Sequence, residues 1–381
     1  MKVKSKLPSV GTTIFTVMSK LATEHRAINL SQGFPNFDCN EALKERVNFY
    51  LSNGKNQYVP MAGLPALRDK IADKIALTYQ ASVDPETEIT VTAGATQALF
   101  TAIAAFIQKG DEVILIEPAY DSYAPAIEVM GGKVVPYALS GPDFKIDWSD
   151  FEQLISARTK MIIINTPHNP IGKTLKKSDI KKLEELTNET DIIVVSDEVY
   201  EHLIYDGQVH QSVLLFPELY KRSLVIYSFG KTFHNTGWKV GYCIAPDYLT
   251  KEFRKVHQFN VFCVNSFVQY GLADFLSEPS HYLELPNFYQ QKRDYFSNSM
   301  NGSALKALPS EGTYFQLFDY SAISTETDTD FAKRMTTEFG VASIPLSVFY
   351  TEPIQNNCVR LCFAKTEETL SEAAKRLKCL T

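Results

Sequence analysis

Short apolar segments alternate along this chain with amphipathic or apolar stretches of helical length, and this alternation limits the possible folds more than any other feature. Several of the segments are apolar at every position, a pattern typical of parallel strands that helices cover on both faces. The sequence therefore predicts an α/β fold with a mostly parallel sheet sandwiched by helices. The predicted strands are Ile89–Thr92, Val113–Ile116, Met161–Ile164, Ile192–Val195, Leu224–Tyr227 and Val240–Ile244.

The pattern changes near residue 278, where short strands and helices with no clear alternation begin. This change favours a smaller α+β domain after the large one. We predict an N-terminal segment at 1–40 that packs with the small domain, a large domain at 41–277 and a small domain at 278–381. The elements predicted in the small domain are a helix at Pro286–Met300, strands near Tyr314–Phe318, Val341–Ile344 and Val359–Phe363, and a helix at Glu367–Lys378.

Charge and composition argue against several classes of protein. The net charge is -6 and the basic residues are scattered, so neither nucleic acid nor an anionic membrane is an expected partner. No apolar run approaches the roughly 18 residues of a membrane span, and no secretory signal follows the N-terminal lysines. The 6 cysteines lack the spacing of a zinc site, so no metal is expected. We expect a cytoplasmic protein.

Polar or aromatic motifs follow five of the predicted strands, at the point where each strand ends. Ligands of open α/β sheets bind outside the carboxyl ends of the strands. Five such motifs in succession predict a site built from the whole edge of the sheet. In chain order the motifs are AGAT, EPAYDSY, NTPHNPIG, SDEVY and SFGKTFHNTGWKVG.

Three of these motifs contain groups suited to catalysis or to ligand binding. Lys231 follows a buried strand, where burial can lower the pKa of its amine and free a nucleophile, although a solvated lysine is the commoner case. Asp197 ends another strand and suits a protonated ring nitrogen, but a structural ion pair explains it equally well. The turn Ala93–Thr96 precedes a helix whose backbone N–H groups can bind phosphate, with Ser228 and Lys239 nearby, or it is only a tight turn.

The ordered set of motifs resembles the class I aminotransferases of fold type I. The segments GFPNF, QYVPMAGLPALR, TAGATQAL, EPAYDSY, NTPHNPIG, SDEVY, SFGKTFHNTGWKVGY and VRLCFAK occur in that family's order, from about Ile14 to the C-terminus. Within the family, the residues of these segments most resemble the branch of methionine aminotransferases and kynurenine aminotransferase/cysteine-conjugate β-lyase enzymes. The resemblance implies pyridoxal 5'-phosphate as cofactor, an amino acid and a 2-oxo acid as substrates, and a homodimer.

The resemblance assigns roles around the cofactor ring. Lys231 resembles the lysine that binds pyridoxal phosphate covalently and then moves the substrate's proton. Asp197 resembles the carboxylate that faces the ring nitrogen, and Tyr120 resembles the aromatic residue that stacks on the ring. Asn169 and Tyr200 resemble the pair that hydrogen-bonds the cofactor's phenolic oxygen.

The resemblance also assigns the phosphate end of the site. Ala95, Thr96, Ser228 and Lys239 match phosphate-binding positions, and Tyr58 is similar to a tyrosine that reaches the phosphate of the partner subunit. Lys239 departs from the family, in which arginine is common, and the change removes a bidentate donor. His234 and Asn235 also depart from it, without a physical explanation.

Substrate binding is implied at a further group of positions. Arg360 resembles the arginine that binds the α-carboxylate, assisted by Gly33 and Asn169, although a strand-edge ion pair is the alternative. A set of aromatic residues matches a pocket for apolar or aromatic side chains, while each alone can equally be a core residue. At Cys263 the kynurenine-type enzymes have histidine, which favours methionine. The aromatic set is Phe15, Phe34, Phe262, Tyr58, Tyr120 and Tyr314.

These residues leave more than one function open. The expected reaction is a ping-pong transfer of an amino group from methionine, or another apolar or aromatic amino acid, to a 2-oxo acid. A carbon–sulfur β-lyase or a kynurenine aminotransferase on the same scaffold is the main alternative. A catalytically inert cofactor-binding protein has no need for Lys231, Asp197, Tyr200, Asn169 and Arg360 together, so we consider it remote.

Overall fold

The computed structural model describes residues 3–352 and 354–380. The strands are β1 (Ile28–Asn29), β2 (Ile89–Thr92), β3 (Glu112–Glu117), β4 (Lys133–Ala138), β5 (Thr159–Asn165), β6 (Ile193–Asp197), β7 (Ser223–Ser228), β8 (Gly241–Ile244), β9 (Lys306–Ala307), β10 (Phe315–Asp319), β11 (Val341–Ala342), β12 (Ile344–Pro345) and β13 (Cys358–Cys362). The helices are α1 (Ile14–Glu24), α2 (Glu41–Ser52), α3 (Pro65–Tyr79), α4 (Ala95–Phe106), α5 (Tyr123–Val129), α6 (Trp148–Glu152), α7 (Lys177–Thr187), α8 (Pro217–Tyr220), α9 (Phe229–Thr232), α10 (Asp247–Asn260), α11 (Ser266–Leu276), α12 (Ser280–Leu283), α13 (Leu285–Ser299), α14 (Asp328–Glu338) and α15 (Glu367–Leu377).

A seven-stranded sheet in the order β2-β8-β7-β6-β5-β3-β4 forms the centre of the molecule. The pairs from β7 across to β4 are all parallel, whereas β8 runs antiparallel to both of its neighbours. The predicted mostly parallel α/β sheet is therefore confirmed, with one reversed strand. All six predicted strands are present, with their ends shifted by at most two residues.

Most of these strands could be predicted from the sequence because they are buried on both faces. Every residue of β3 and of β6 is buried, and α4 covers one face of the sheet with its own buried residues. The exception is β4, which the sequence analysis missed. It lies at the sheet edge, and its residues are half-buried or exposed, so it lacks the apolar signature of an inner strand.

Two smaller sheets carry the other side of the site. Strands β12, β13, β10 and β9 form an antiparallel sheet in that order, in which Arg360 of β13 lies opposite Leu317 of β10. Near the N-terminus β1 pairs in parallel with β11, and α1 packs against α14 and β11. The backbone N–H of Cys362 donates to the carbonyl of Leu30. These contacts bring residues 30–36 alongside β13.

Residues 3–352 and 354–380 contain neither a membrane-spanning helix nor a cluster of metal-ligating side chains. None of their helices has the length and apolar character needed to cross a membrane. The longest, α3 and α13, have 15 residues each and reach only about 22 Å at 1.5 Å per residue. Within the same ranges, no group of three or more histidine, cysteine, aspartate or glutamate side chains is placed to hold a metal ion.

A buried ion pair anchors the segment that follows β6. The amine of Lys74, on α3, lies 2.5 Å from Oε1 of Glu201, and both side chains are only 2% exposed. Two tyrosine hydroxyls also contact this ion pair. The Tyr79 hydroxyl donates to Oε2 of Glu201, and the Lys74 amine donates to the Tyr242 hydroxyl. Burial alone would raise the pKa of Glu201, but the attraction of Lys74 holds it below its ordinary value. The pair ties residues 197–201 to α3.

We expect Lys74→Met to lower the free energy of unfolding by about 3 kcal/mol, because it leaves the Glu201 charge buried without its partner. Chemical denaturation at neutral pH measures the change. The matched control is Lys251→Met, which breaks an exposed pair with Asp247 and should change stability by less than about 0.5 kcal/mol. Equal effects of the two substitutions would contradict an anchoring role for Lys74.

Candidate active site

A cleft opens to solvent at the carboxyl ends of the central strands, where ligands of open α/β sheets bind. The residues predicted to bind the cofactor within one subunit all line it: Ala95, Thr96, Tyr120, Asn169, Asp197, Tyr200, Ser228, Lys231 and Lys239. The sequence analysis did not assign several other lining residues, namely Gly94, Leu99, Tyr123, Asn165, Val199, Gly230, Thr236 and Val240.

Lys231 lies in the short helix α9, directly after β7. Its amine donates to the Gly33 carbonyl at 3.2 Å and to the Tyr314 hydroxyl at 2.9 Å. The Tyr314 hydroxyl in turn donates to the same carbonyl. Burial lowers the pKa of Lys231 to about 8. About a tenth of the amine is therefore neutral and nucleophilic at pH 7, far more than for an ordinary lysine.

Asp197 ends β6 with its side chain buried. Its Oδ2 accepts a hydrogen bond from the Tyr123 hydroxyl at 2.6 Å, and its Oδ1 accepts one from the Val199 amide at 3.3 Å. Burial raises the pKa of the carboxyl to about 6, although both donors oppose the rise. Such a carboxylate is suited to a cationic ring nitrogen, which would supply the missing positive partner.

Tyr200 lies between the cleft and the small sheet. Its ring packs edge-on against Tyr314 at 5.1 Å between centroids, and the Lys231 amine lies 5.6 Å from its centroid. Burial raises the pKa of the Tyr200 phenol above its ordinary value, so the group is neutral and able to donate a hydrogen bond. The phenol and the lysine amine therefore share one wall of the cleft.

The end of the cleft at the N-terminus of α4 is suited to an anion. Helix α4 begins after Gly94, which has a positive φ of 78° and gives no side-chain cap, so the first backbone N–H groups of the helix are available. A Cβ built on Gly94 would meet the Lys239 amine at 3.3 Å, which shows how closely that cation approaches the turn. The hydroxyl residues Ser228 and Thr236 line the same end. These donors can hold a phosphate.

Arg360 projects from β13 and is 1% exposed. Its Nη1 donates to Oδ1 of Asn169 at 2.7 Å, and its Nη2 donates to the Ser31 carbonyl at 3.0 Å. Nε has no hydrogen-bond partner among the described residues. The guanidinium lies 3.8 Å from the ring centroid of Phe315, and burial lowers its pKa to about 10, so it remains charged. A buried, oriented cation of this kind is suited to a carboxylate.

The remaining predicted residues lie outside the cleft lining of the single chain. Phe15 is close, with its ring 5.4 Å from the Arg360 guanidinium, whereas Phe34 is 45% exposed under the Lys365 amine. Tyr58 and Phe262 form an exposed aromatic pair, 5.0 Å between centroids, and Tyr58 is 79% exposed. One chain therefore does not bring these two residues to Lys231. Gly33 reaches the site through its carbonyl.

Comparison with known proteins decides the family. The family described as aminotransferase class I and II matches residues 25–377. The chain belongs to this family. It is 53% identical over 378 residues to the methionine aminotransferase of Escherichia coli K12, covering 99% of this chain and 98% of that protein. Human kynurenine–oxoglutarate transaminase 1 is 33% identical, over 94% of this chain and 93% of its own length.

Solved structures agree with this assignment. The crystal structure of YbdL from Escherichia coli, for which a methionine aminotransferase function was identified, superimposes with a TM-score of 0.97 at 52% identity and covers 99% of both chains. The structure of N-succinyldiaminopimelate aminotransferase from Mycobacterium tuberculosis gives a TM-score of 0.96 at 33% identity over all of both chains. The predicted aminotransferase family, fold type and enzymatic class are therefore confirmed.

We expect Gly33→Ala to raise the KM for the amino-acid substrate about tenfold, which corresponds to about 1.4 kcal/mol of binding free energy. A Cβ at Gly33 would lie 2.7 Å from the tip of the Phe315 ring, which packs on Arg360, so the ring must shift and carry the guanidinium with it. Steady-state kinetics measures the change. Gly11→Ala is the control, because its Cβ meets nothing within 4 Å. An unchanged KM in Gly33→Ala would contradict this packing argument.

Proposed function

We propose that this chain is a pyridoxal-phosphate-dependent aminotransferase whose preferred amino donor is methionine. The observation that carries the proposal is that Lys231 and Asp197 line one cleft in a member of the aminotransferase family, and that the buried Arg360 donates to Asn169 in the same lining. The substrate is supported by the methionine aminotransferase that is 53% identical over almost the whole chain.

The cleft has the donors that pyridoxal phosphate requires. The N-terminus of α4, with Ala95 and Thr96, would hold the phosphate together with Ser228 and Lys239. Tyr120 would lie against the ring, and Asp197 would face the ring nitrogen. Asn169 and Tyr200 would hydrogen-bond the phenolic oxygen. The fit is supported by a buried carboxylate with a raised pKa and a lysine with a lowered one in the same cleft.

The chain's own groups then account for the proton movements. When bound, pyridoxal phosphate supplies an aldehyde that takes up amino groups and a cationic ring that withdraws electrons from the α-carbon. The Lys231 amine, with a pKa near 8, would accept the proton of the α-carbon and would then donate it to the cofactor carbon that carried the aldehyde, acting as base and then as acid. The Gly33 carbonyl and the Tyr314 hydroxyl hold that amine inside the cleft. Two such half-reactions, first with an amino acid and then with a 2-oxo acid, make up the transfer.

Arg360 orients the substrate in this scheme. Its guanidinium is fixed by Asn169 and Ser31 and stacked on Phe315, and the free Nε leaves bonding capacity toward a carboxylate. Phe15 and Phe349 also lie near the guanidinium, 5.4 and 5.3 Å away. Aromatic surroundings favour an apolar side chain such as the thioether of methionine, which packs well on rings.

The proposal is tested by reconstitution with the cofactor. We expect the purified chain to show a visible absorbance band with pyridoxal phosphate that survives gel filtration, and Lys231→Ala to lose that band on gel filtration. Lys292→Ala is the control, since Lys292 is also partly buried with a lowered pKa but lies outside the cleft lining. A stable band in Lys231→Ala would contradict the assignment of Lys231.

Substrate preference is read from the same reconstituted protein. We expect methionine to convert the band to that of the amino form of the cofactor and to release its 2-oxo acid. Kynurenine, phenylalanine and a cysteine conjugate are compared at equal concentration. A faster half-reaction with kynurenine would contradict methionine as the preferred donor. Pyruvate release from the cysteine conjugate without an acceptor would identify β-elimination instead.

We also propose that the active form is a homodimer in which Tyr58 reaches the active site of the partner. The support is the exposure of Tyr58 and Phe262, which leaves a large aromatic pair at the surface, together with the resemblance noted above. Phe49 and Phe259 are further exposed aromatic residues, 53% and 87% exposed.

We expect the chain to sediment as a dimer and Tyr58→Phe to weaken cofactor binding about tenfold or more, because one lost hydrogen bond to a charged group costs about 1.5–3 kcal/mol. An exposed hydroxyl in a monomer would have no such effect. Fluorescence titration with pyridoxal phosphate gives the dissociation constant. Tyr248→Phe, which changes another exposed tyrosine outside the cleft lining, is the control. A monomeric mass, or unchanged affinity in Tyr58→Phe, would contradict the proposal.

A further inference from the structure

The hydroxyl of Tyr123 makes the shortest contact with the Asp197 carboxylate. Tyr123 begins α5, is 3% exposed, and donates to Oδ2 at 2.6 Å. The other oxygen, Oδ1, has only the Val199 amide at 3.3 Å, near the limit of a hydrogen bond. The two oxygens of this carboxylate are therefore unequally held, one firmly and one weakly.

We infer that Tyr123 is a positioning residue, which occupies Oδ2 of Asp197 and leaves Oδ1 to face the ring nitrogen of the cofactor. This inference rests on the proposed function, because it assigns one oxygen to pyridoxal phosphate. Tyr123 does not itself touch the cofactor in this scheme. Its action is to fix the rotation of the carboxylate and to keep it ionised.

A second contact of Tyr123 supports this role. Its ring meets the ring of Tyr120 edge-on, with 5.7 Å between centroids and an angle of 80°. Tyr120 is the residue expected to lie against the cofactor ring. Tyr123 thus touches both the carboxylate at the ring nitrogen and the aromatic wall beside the ring. A single side chain sets the relative position of the two.

The backbone of Asp197 is held independently. The side-chain Nδ2 of Asn165 donates to the backbone carbonyl of Asp197 at 2.8 Å. The side-chain Oδ1 of Asn165 accepts from the backbone N–H of Asn169 at 2.8 Å. This bridge fixes the main chain at the ends of β5 and β6 but makes no contact with the carboxylate. Removal of the Tyr123 hydroxyl should therefore change the carboxylate without displacing the strand.

Other ionisable groups around Asp197 act at longer range. Lys231, on the far side of the cleft, favours the charged carboxylate, whereas Glu198, the next residue, opposes it. The phenols of Tyr120 and Tyr200 have pKa values raised by burial and are neutral. Of these groups, none is in hydrogen-bond contact with the carboxylate. The Tyr123 hydroxyl is accordingly the side chain whose loss should affect it most.

The test compares the protein with Tyr123→Phe, which removes the hydroxyl and keeps the ring. The hydroxyl stabilises the ionised carboxylate, so its loss should raise the pKa of Asp197 by about one unit, a tenfold change in the ionisation constant. The raised pKa lowers the charged fraction at neutral pH. We expect the affinity for pyridoxal phosphate to fall about twofold at pH 7 and about tenfold at pH 5, because its loss on acidification begins about one pH unit higher.

A cofactor-free measurement separates this inference from the proposed function. Infrared titration of the stripped protein, with Asp197→Asn subtracted to isolate the carboxyl signal, gives the midpoint of Asp197 directly. Tyr350→Phe is the matched control: its buried hydroxyl donates to the Leu139 carbonyl at 2.8 Å, outside the cleft lining. It should lose a similar amount of stability but leave the Asp197 midpoint and the cofactor affinity unchanged.

Each result has a distinct meaning. An Asp197 midpoint that does not move in Tyr123→Phe overturns the inference. A double-mutant cycle gives a second criterion: in the Asp197→Asn background, Tyr123→Phe should cause little further loss of cofactor affinity, and a full additional loss would also overturn it. If the unmodified chain binds no pyridoxal phosphate while the midpoint still shifts, the proposed function and the assignment of Oδ1 fail, and the effect of Tyr123 on Asp197 remains.

Discussion

The buried carboxylate of Asp197 is the constraint around which the active site is organised. A charge at the end of a fully buried strand costs free energy unless donors surround it, and here the burial raises its pKa to about 6. Tyr123 binds the side chain and Asn165 binds the backbone. The carboxylate still lacks a positive partner in hydrogen-bond contact, and the proposed cationic ring would supply one. The same burial lowers the pKa of Lys231 to about 8, so the environment that disfavours the Asp197 anion also favours the neutral form of the amine.

The segment from Asp197 to Glu201 faces two buried polar regions. Asp197 and Tyr200 line the cleft, whereas Glu198 and Glu201 are buried among groups outside that lining. Glu201 pairs with Lys74, and Glu198 accepts from Tyr227 at 3.0 Å. These anchoring partners, Lys74 and Tyr227, belong to the scaffold and lie outside the cleft lining. Within these five consecutive residues, Glu198 and Glu201 anchor the segment, whereas Asp197 and Tyr200 face the cleft.

The sequence was sufficient for the elements buried on both faces and for the motifs at the strand ends. It was not sufficient for β4, whose exposed edge position removes the apolar pattern, nor for the reversed direction of β8. Tyr123 and Asn165 lay inside quoted motifs, EPAYDSY and NTPHNPIG, yet their partners are 74 and 32 residues away in the chain. Such hydrogen bonds depend on strand order, which a pattern of residue types does not contain. The proposed roles of Tyr58 and Phe262 depend on a second chain, whose placement a pattern of residue types does not contain either.

Recognition of the substrate carboxylate depends on contacts that bring distant parts of the chain together. Residues 30–36 are held beside β13 by the bond from the Cys362 amide to the Leu30 carbonyl and by the pairing of β1 with β11. This segment supplies the Ser31 carbonyl to Arg360 and the Gly33 carbonyl to Lys231. Arg360 and Lys231 are therefore oriented by one short stretch of backbone. A shift of that stretch would change substrate binding and proton transfer together, which couples the grip on the carboxylate to the position of the amine.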